Sequence, residues 1–144
     1  MIQIRSAIQA DQKTIARIIR DAGINPMSLD WHRFVIAEDV GAVVGIGQVK
    51  QHSDGSRELA SIAVIPKRQR QGIASEIIRA LLANERGDLY LVCRDELESF
   101  YARFGFRKIG QREMSPYFRR LMRVMNVIAR VVGRHGIVMK RGKQ

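Results

Sequence analysis

Residues 58–84 read Glu58-Leu-Ala-Ser-Ile-Ala-Val-Ile-Pro66, then Lys67-Arg-Gln-Arg-Gln-Gly-Ile-Ala74, then Ser75-Glu-Ile-Ile-Arg-Ala-Leu-Leu-Ala-Asn84. Leu59 to Ile65 is a short, mostly apolar run closed by Pro66, the pattern of a buried strand. After Gly72 the apolar residues fall at Ile73, Ala74, Ile77, Ile78, Leu81 and Leu82, two adjacent rows along one side of a helix. A strand therefore passes into a helix through a short turn rich in Arg, Gln and Gly.

A junction of this kind binds anions. The first amides of a helix have no intrahelical partner, and the helix dipole adds partial positive charge to them. Gly72 removes the side chain that would hold a phosphate away, while Lys67 and Arg70 supply full charges. No Lys-Ser or Lys-Thr follows the glycine, so the loop is not of the Walker type. Gly45-Ile46-Gly47 lacks the third glycine of a dinucleotide fingerprint. Read alone, Gly72 is also compatible with an ordinary turn.

The elements before the junction are a strand at Ile2–Arg5, a helix from Asp11 that buries Ile15, Ile18 and Ile19 and stops near Gly23, and a break at Asn25-Pro26. Strands at Phe34–Ala37 and Val43–Lys50 meet through a turn at Glu38–Gly41, and Asp54-Gly55 turns the chain into the strand at 57–65. Gly45 and Gly47 share a strand face and read as sites of close packing or a bulge. Beyond the junction come a strand at Leu89–Cys93, a helix at Glu96–Arg103 stopped by Gly105, and a strand at Phe106–Ile109. An amphipathic helix follows at Tyr117–Val132, with a last strand at Ile137–Met139. Arg119, Arg123, Arg130 and Arg134 line the polar side of that long helix, and no acidic residue lies between Tyr117 and His135.

Val64-x-Pro66 followed by Gln69-x-x-Gly72-x-Ala74 resembles the acyl-CoA signature of the GNAT superfamily of N-acetyltransferases. Phe100-Tyr101-Ala102-Arg103-Phe104-Gly105-Phe106 is similar to the family's tyrosine-bearing helix and the strand after it. In element order the resemblance runs from about Ile2 to Lys140, with sharp motifs at 58–82 and 100–106. It implies an α+β GNAT-like fold over 1–144 as one domain. A central, mostly antiparallel mixed sheet of six to seven strands would carry helices on both faces, splaying beside the fifth strand.

The resemblance also implies an acetyl-CoA-dependent N-acetyltransferase acting on a primary amine by direct transfer in a ternary complex. Main-chain groups of Ile62, Ala63 and Val64 would line the pantetheine arm. Arg70, Gln71, Gly72, Ile73, Ala74 and Ser75 would hold the pyrophosphate. Tyr101 matches the family's proton donor to the leaving thiolate, or else is a packing aromatic beside Phe100. A glutamate at the position of Glu58 is the base in several branches; otherwise Glu58 is an exposed charge at the start of a strand, paired with Arg57 or a lysine. Where the family often has a CoA-contacting Asn, seven residues before the tyrosine, this chain has Arg94, whose guanidinium could reach a phosphate instead. Leu29, Trp31 and His32 fall where the family builds its acceptor wall, and Trp31 reads equally well as a core or rim aromatic.

At 144 residues the chain is long enough for one domain with a proper core. Its 25 Lys and Arg against 14 Asp and Glu give a formal net charge of +11, which attracts polyanions without naming one. The apolar runs are too short to span a bilayer, and the N-terminus has no signal-peptide core. One cysteine, Cys93, excludes an intramolecular disulfide and fits a reducing compartment, so the cytoplasm is expected. Cys93 sits in an apolar strand with no activating His nearby in sequence and reads as an inert thiol rather than an acyl carrier. His32, His52 and His135 have no metal-ligand spacing, so no metal is expected. A catalytically silent acyl-CoA-binding module and a basic RNA- or ribosome-associated protein stay open as alternatives, as does a homodimer.

Overall fold

A computed structural model describes residues 1–132 and 136–142, with the side chains of 128–132 left aside. Seven strands hydrogen-bond in the order β1-β2-β3-β4-β5-β7-β6: β1 Ile2–Ser6, β2 Phe34–Asp39, β3 Ala42–Gln51, β4 Arg57–Val64, β5 Leu89–Arg94, β6 Arg107–Lys108 and β7 Gly136–Arg141. Among the described residues four α-helices accompany them: α1 Gln12–Ala22, α2 Ile73–Leu82, α3 Glu98–Ala102 and α4 Pro116–Val132. The sheet is mixed. β4 and β5 run parallel and share one recorded register pair among the described residues, Glu58↔Tyr90. Compactness divides the chain into Met1–Lys50 with Leu59–Glu85, and Gln51–Glu58 with Arg86–Gln144.

In the first of these units, pleating sorts the helices onto opposite faces. Ile36 and Ile46 face each other across β2 and β3, and both pack with Ile15, Ile18 and Ile19 of α1. Each fully buried isoleucine of this kind stabilises the fold by about 1.5–3 kcal/mol. Gly45 and Gly47 point to the other face. A Cβ on Gly47 would lie 2.7 Å from both Ile62 Cδ1 and Ile77 Cγ2, and one on Gly45 would lie 2.9 Å from Ile77 Cδ1. The glycines let α2 settle directly on the strands. They are packing residues.

α1 ends as expected at Gly23, whose φ of 68° is left-handed. Its start differs from the sequence expectation. Asp11 makes no side-chain cap to α1; its carboxylate accepts from Arg5 Nη1 at 2.8 Å and from the Ile8 amide at 2.8 Å. A charged, bidentate guanidinium is the stronger partner for an acid than a helix amide.

The second unit is built on β5 and β7, paired through Tyr90↔Lys140, Val92↔Val138 and Cys93↔Ile137. α4 covers one face with Phe118 and Met122, which are buried against Tyr90, Ile109, Met114 and Val138. Asp54, in the turn between β3 and β4, accepts a hydrogen bond from the Tyr117 amide at 2.9 Å and so caps α4 behind Pro116. Burial opposes the charge of Asp54. Hydrogen bonds from the Ser56 hydroxyl and amide and from the Tyr117 amide outweigh it and hold the carboxyl well below the usual range. The helix expected at Glu96–Arg103 begins as a 3₁₀ turn at Asp95–Leu97 and is α-helical over α3, and the sixth strand is shorter than expected.

Candidate active site

The sequence from Pro66 to Ser75 is held open by its own side chains. Arg68 Nε donates to Gln71 Oε1 at 3.1 Å and Arg68 Nη2 to Asp39 Oδ2 at 2.9 Å, while Gln69 Nε2 donates to the Val64 carbonyl at 3.1 Å. Arg70 and Gly72 are both left-handed, at φ 64° and 80°. Such a conformation costs an ordinary residue roughly 1 kcal/mol and glycine almost nothing. Gly72 is the N-cap of α2 without a side-chain cap, and the first helical bond is Glu76 N–H to the Gly72 carbonyl at 3.1 Å. The amides of Ile73, Ala74 and Ser75 therefore have no protein acceptor among the described residues. Nothing lies within 4 Å of where a Gly72 Cβ would stand. Three free amides, an open approach and the exposed Arg70 suit an anion, which is what a pyrophosphate requires.

Upstream in the same unit, β4 carries a feature that its sequence does not announce. Ser61 has φ 59° within the strand, a strained value for a residue with a Cβ. The fully buried Gln48 spans this irregularity. Its Nε2 donates to Ser61 Oγ at 2.8 Å and to the Ser28 carbonyl at 3.0 Å, and its Oε1 accepts from Arg33 Nε at 3.2 Å. Ile62, Ala63 and Val64 follow the kink directly. Trp31 and Leu29 are partly buried and pack against the α1 core, and Gln12 fixes the backbone of both.

In the second unit, Tyr101 of α3 lies edge-on to Phe100, with ring centroids 5.0 Å apart, and faces Phe106 at 6.3 Å. Burial, and secondarily Cys93, pushes its phenol up to about 12. It is therefore protonated throughout the working range. Its hydroxyl has no hydrogen-bond partner among the described residues. Burial, with Glu98 and Asp95, also pushes the Cys93 thiol up, to about 11, and Sγ sits 3.9 Å from Met139 Sδ. Such a thiol is a poor nucleophile.

Glu58 is not the exposed charge that one reading of the sequence allowed. Its Oε1 lies 2.7 Å from His52 Nε2, and each side chain retains only 12 % of its accessible surface. The His52 ring stacks on Tyr117 with centroids 3.6 Å apart and planes 11° from parallel, and meets Phe118 edge-on at 5.6 Å. Burial raises the Tyr117 phenol, and the charges of Glu58 and Asp54 raise it further. His52 and Tyr117 were not singled out from the sequence. The usable signal was the pair His52 and Glu58 flanking a hairpin turn, which places both at the base of adjacent strands.

Arg94 pairs with Glu96 at 3.3 Å, and its side chain is 68 % exposed. Arg119 and Arg123 are exposed on α4; the Arg130 side chain and Arg134 lie outside the described residues. Among the described residues no three His, Cys, Asp or Glu cluster so as to hold a metal ion, and no helix is long and apolar enough to cross a membrane.

The acetyltransferase (GNAT) domain family matches residues 30–108. No curated protein sequence matches the chain. Among solved structures, it is similar to the N-acetylglutamate synthase of Neisseria gonorrhoeae complexed with coenzyme A and N-acetyl-glutamate, at TM-score 0.78 and 21 % identity, over 100 % of this chain and 35 % of that one. The chain thus spans about a third of that synthase. A Mycobacterium tuberculosis protein, Rv2747, in complex with CoA and NLQ is similar at TM-score 0.78 and 18 % identity, over 99 % of each chain. The ribosomal-protein-S18-alanine N-acetyltransferase of Escherichia coli is similar at TM-score 0.70 and 18 % identity, over 100 % of this chain and 95 % of that one. At these identities the structural likeness speaks for the fold.

Proposed function

The chain belongs to the GNAT acetyltransferase family, and from that premise we propose that it moves the acetyl group of acetyl-CoA directly to a primary amine within a ternary complex. The observation that carries the proposal is the uncapped start of α2, with three unpartnered amides behind Gly72. In this reading the 70–75 loop takes the pyrophosphate, and main-chain groups of Ile62, Ala63 and Val64 run along the pantetheine. The kink at Ser61 would set which way those groups point.

Transfer needs a neutral amine and a protonated leaving group. Tyr101 supplies the second requirement: a phenol that keeps its proton at every working pH can give it to a departing thiolate. Glu58 and its partner His52 supply the first, as the basic groups of the site. Arg94, released from Glu96, would be free to meet a phosphate. One cytoplasmic domain over 1–144 fits these roles.

The test is free-thiol release from acetyl-CoA with a panel of amines, from small amines and aminoglycosides to peptide N-termini and lysine side chains. Turnover with at least one amine is expected. Tight CoA binding without turnover for any of them would favour a silent acyl-CoA-binding module. Absence of CoA binding would remove the enzyme reading altogether.

A further inference from the structure

We propose that His52, held by Glu58, is the group that takes the proton from the acceptor ammonium, through Nδ1, and that Glu58 is its positioning residue. The inference rests on the acetyltransferase reading and deepens it.

The argument starts from hydrogen-bond capacity. An ionised carboxylate only accepts, so the 2.7 Å contact between Glu58 Oε1 and His52 Nε2 requires the proton on Nε2. In a neutral imidazole that leaves the lone pair on Nδ1. Nδ1 has no protein partner among the described residues, and it is not sealed from solvent. The ring cannot turn freely to offer its other nitrogen. Tyr117 stacks on one side of it at 3.6 Å and Phe118 abuts it edge-on at 5.6 Å. Phe118 is in turn stacked on Tyr90 at 4.7 Å, so the clamp is tied into the core of its unit.

Glu58 is the less suitable acceptor. Oε1 is already committed to the imidazole, and a carboxylate is a weak base for an alkylammonium. An imidazole binds a proton more strongly and releases it again near neutrality. The titratable groups around the ring are Glu58 from β4, Asp54 from the turn, Tyr117 from α4 and, beyond Phe118, Tyr90 of β5 beneath Lys140 of β7.

The protons balance as follows. The ammonium gives one proton to Nδ1, and the freed lone pair attacks the thioester carbonyl carbon. The new C–N bond forms and the C–S bond breaks. The thiolate takes the Tyr101 proton, and the second proton of the amine returns through solvent to the phenolate. His52 discharges its proton to solvent.

Two measurements test this. Long-range ¹H–¹⁵N correlation spectra of the whole protein should show neutral His52 as the Nε2–H tautomer in the wild type. An Nδ1–H tautomer would overturn the proposal whatever the kinetics. His52→Gln keeps an N–H near Glu58 but removes the base. At neutral pH it should lower kcat/KM about a hundred- to ten-thousand-fold, the usual range for a positioned base. The deficit should shrink as the pH approaches that of the free amine, and CoA affinity should hold. A loss below tenfold with normal turnover would leave Glu58 as the base and sink this proposal alone. A wild type that acetylates no amine of the panel would overturn the acetyltransferase reading, and this proposal with it. Should His52→Gln fail to fold, Tyr117→Phe is the second variant. It retains the stacked ring, so it should fold and keep the Nε2–H tautomer; loss of that tautomer would count against the clamp.

Discussion

The loop at 66–75 and the cluster of His52, Glu58, Tyr117 and Phe118 use different chemistry and left different traces in the sequence. The loop offers main chain: left-handed residues at Arg70 and Gly72 and three free amides at the head of α2. Its side chains mainly keep it open, as Arg68 does on Gln71 and Asp39. The cluster is made of side chains from a hairpin and from a helix more than fifty residues later. A main-chain site must be local, because consecutive amides make it. A side-chain site is free to assemble from anywhere. The first kind is spelled out in a short motif, and the second is not.

The largest expected effect separates the two kinds of work. Tyr101→Phe should keep the ring against Phe100 and leave CoA affinity nearly intact, yet lower kcat about a hundred- to ten-thousand-fold. A loss below tenfold would make Tyr101 a packing residue. With its phenol pushed up to about 12, Tyr101 should give no basic limb to the pH–rate profile of the wild type at pH 10 or below. A basic limb near pH 9 that vanishes in Tyr101→Phe would contradict that placement.

Gly72→Asp should show the reverse pattern. Asp is among the residues that tolerate left-handed backbone, so folding should survive. Its charge would stand before the free amides and should weaken CoA binding about ten- to a hundredfold, the worth of a hydrogen bond to a charged group. At saturating acetyl-CoA, kcat should recover. Calorimetry with CoA, read beside the kinetics, checks both halves; equal CoA affinity would move the pyrophosphate off this loop.

A smaller effect tests the cap that ties the hairpin turn to α4. Asp54→Asn keeps a capping oxygen but loses the charge at the head of α4, and should destabilise the protein by about 0.3–1 kcal/mol at pH 7. The folded carboxyl is held below its unfolded value, so its contribution is complete above about pH 4 and fades as the pH falls further. Denaturant unfolding at pH 7 and pH 3 should therefore show the gap between wild type and variant closing in acid. A gap independent of pH would mean that the charge of Asp54 plays no part.

The smallest effect concerns the basic side of α4. Neutralising Arg119, Arg123, Arg130 and Arg134 together should flatten the salt dependence of RNA binding without altering sequence preference. An unchanged slope, measured by fluorescence anisotropy across a salt series, would make the surface a solvated face with no anionic partner.

The sequence by itself determined the element order, the strand–turn–helix at 58–84, the glycine at the head of α2 and the tyrosine-bearing α3. Each is set by periodicity or by a conformational demand within a few residues. It left Gly45 and Gly47 as sites of close packing or a bulge, and the fold has both: Ile62 and Ile77 lie against them, and the β2–β3 register shifts beside Gly45. Tertiary structure alone decided which partner each polar group would take. Asp11 went to Arg5 rather than to α1, Asp54 reached across to α4, Gln48 bridged a kink at Ser61, and Glu58 met His52 beneath Tyr117. Hydrogen bonds and ring contacts act over about 3–6 Å in space and have no fixed spacing along the chain. Only the folded backbone brings those groups within reach.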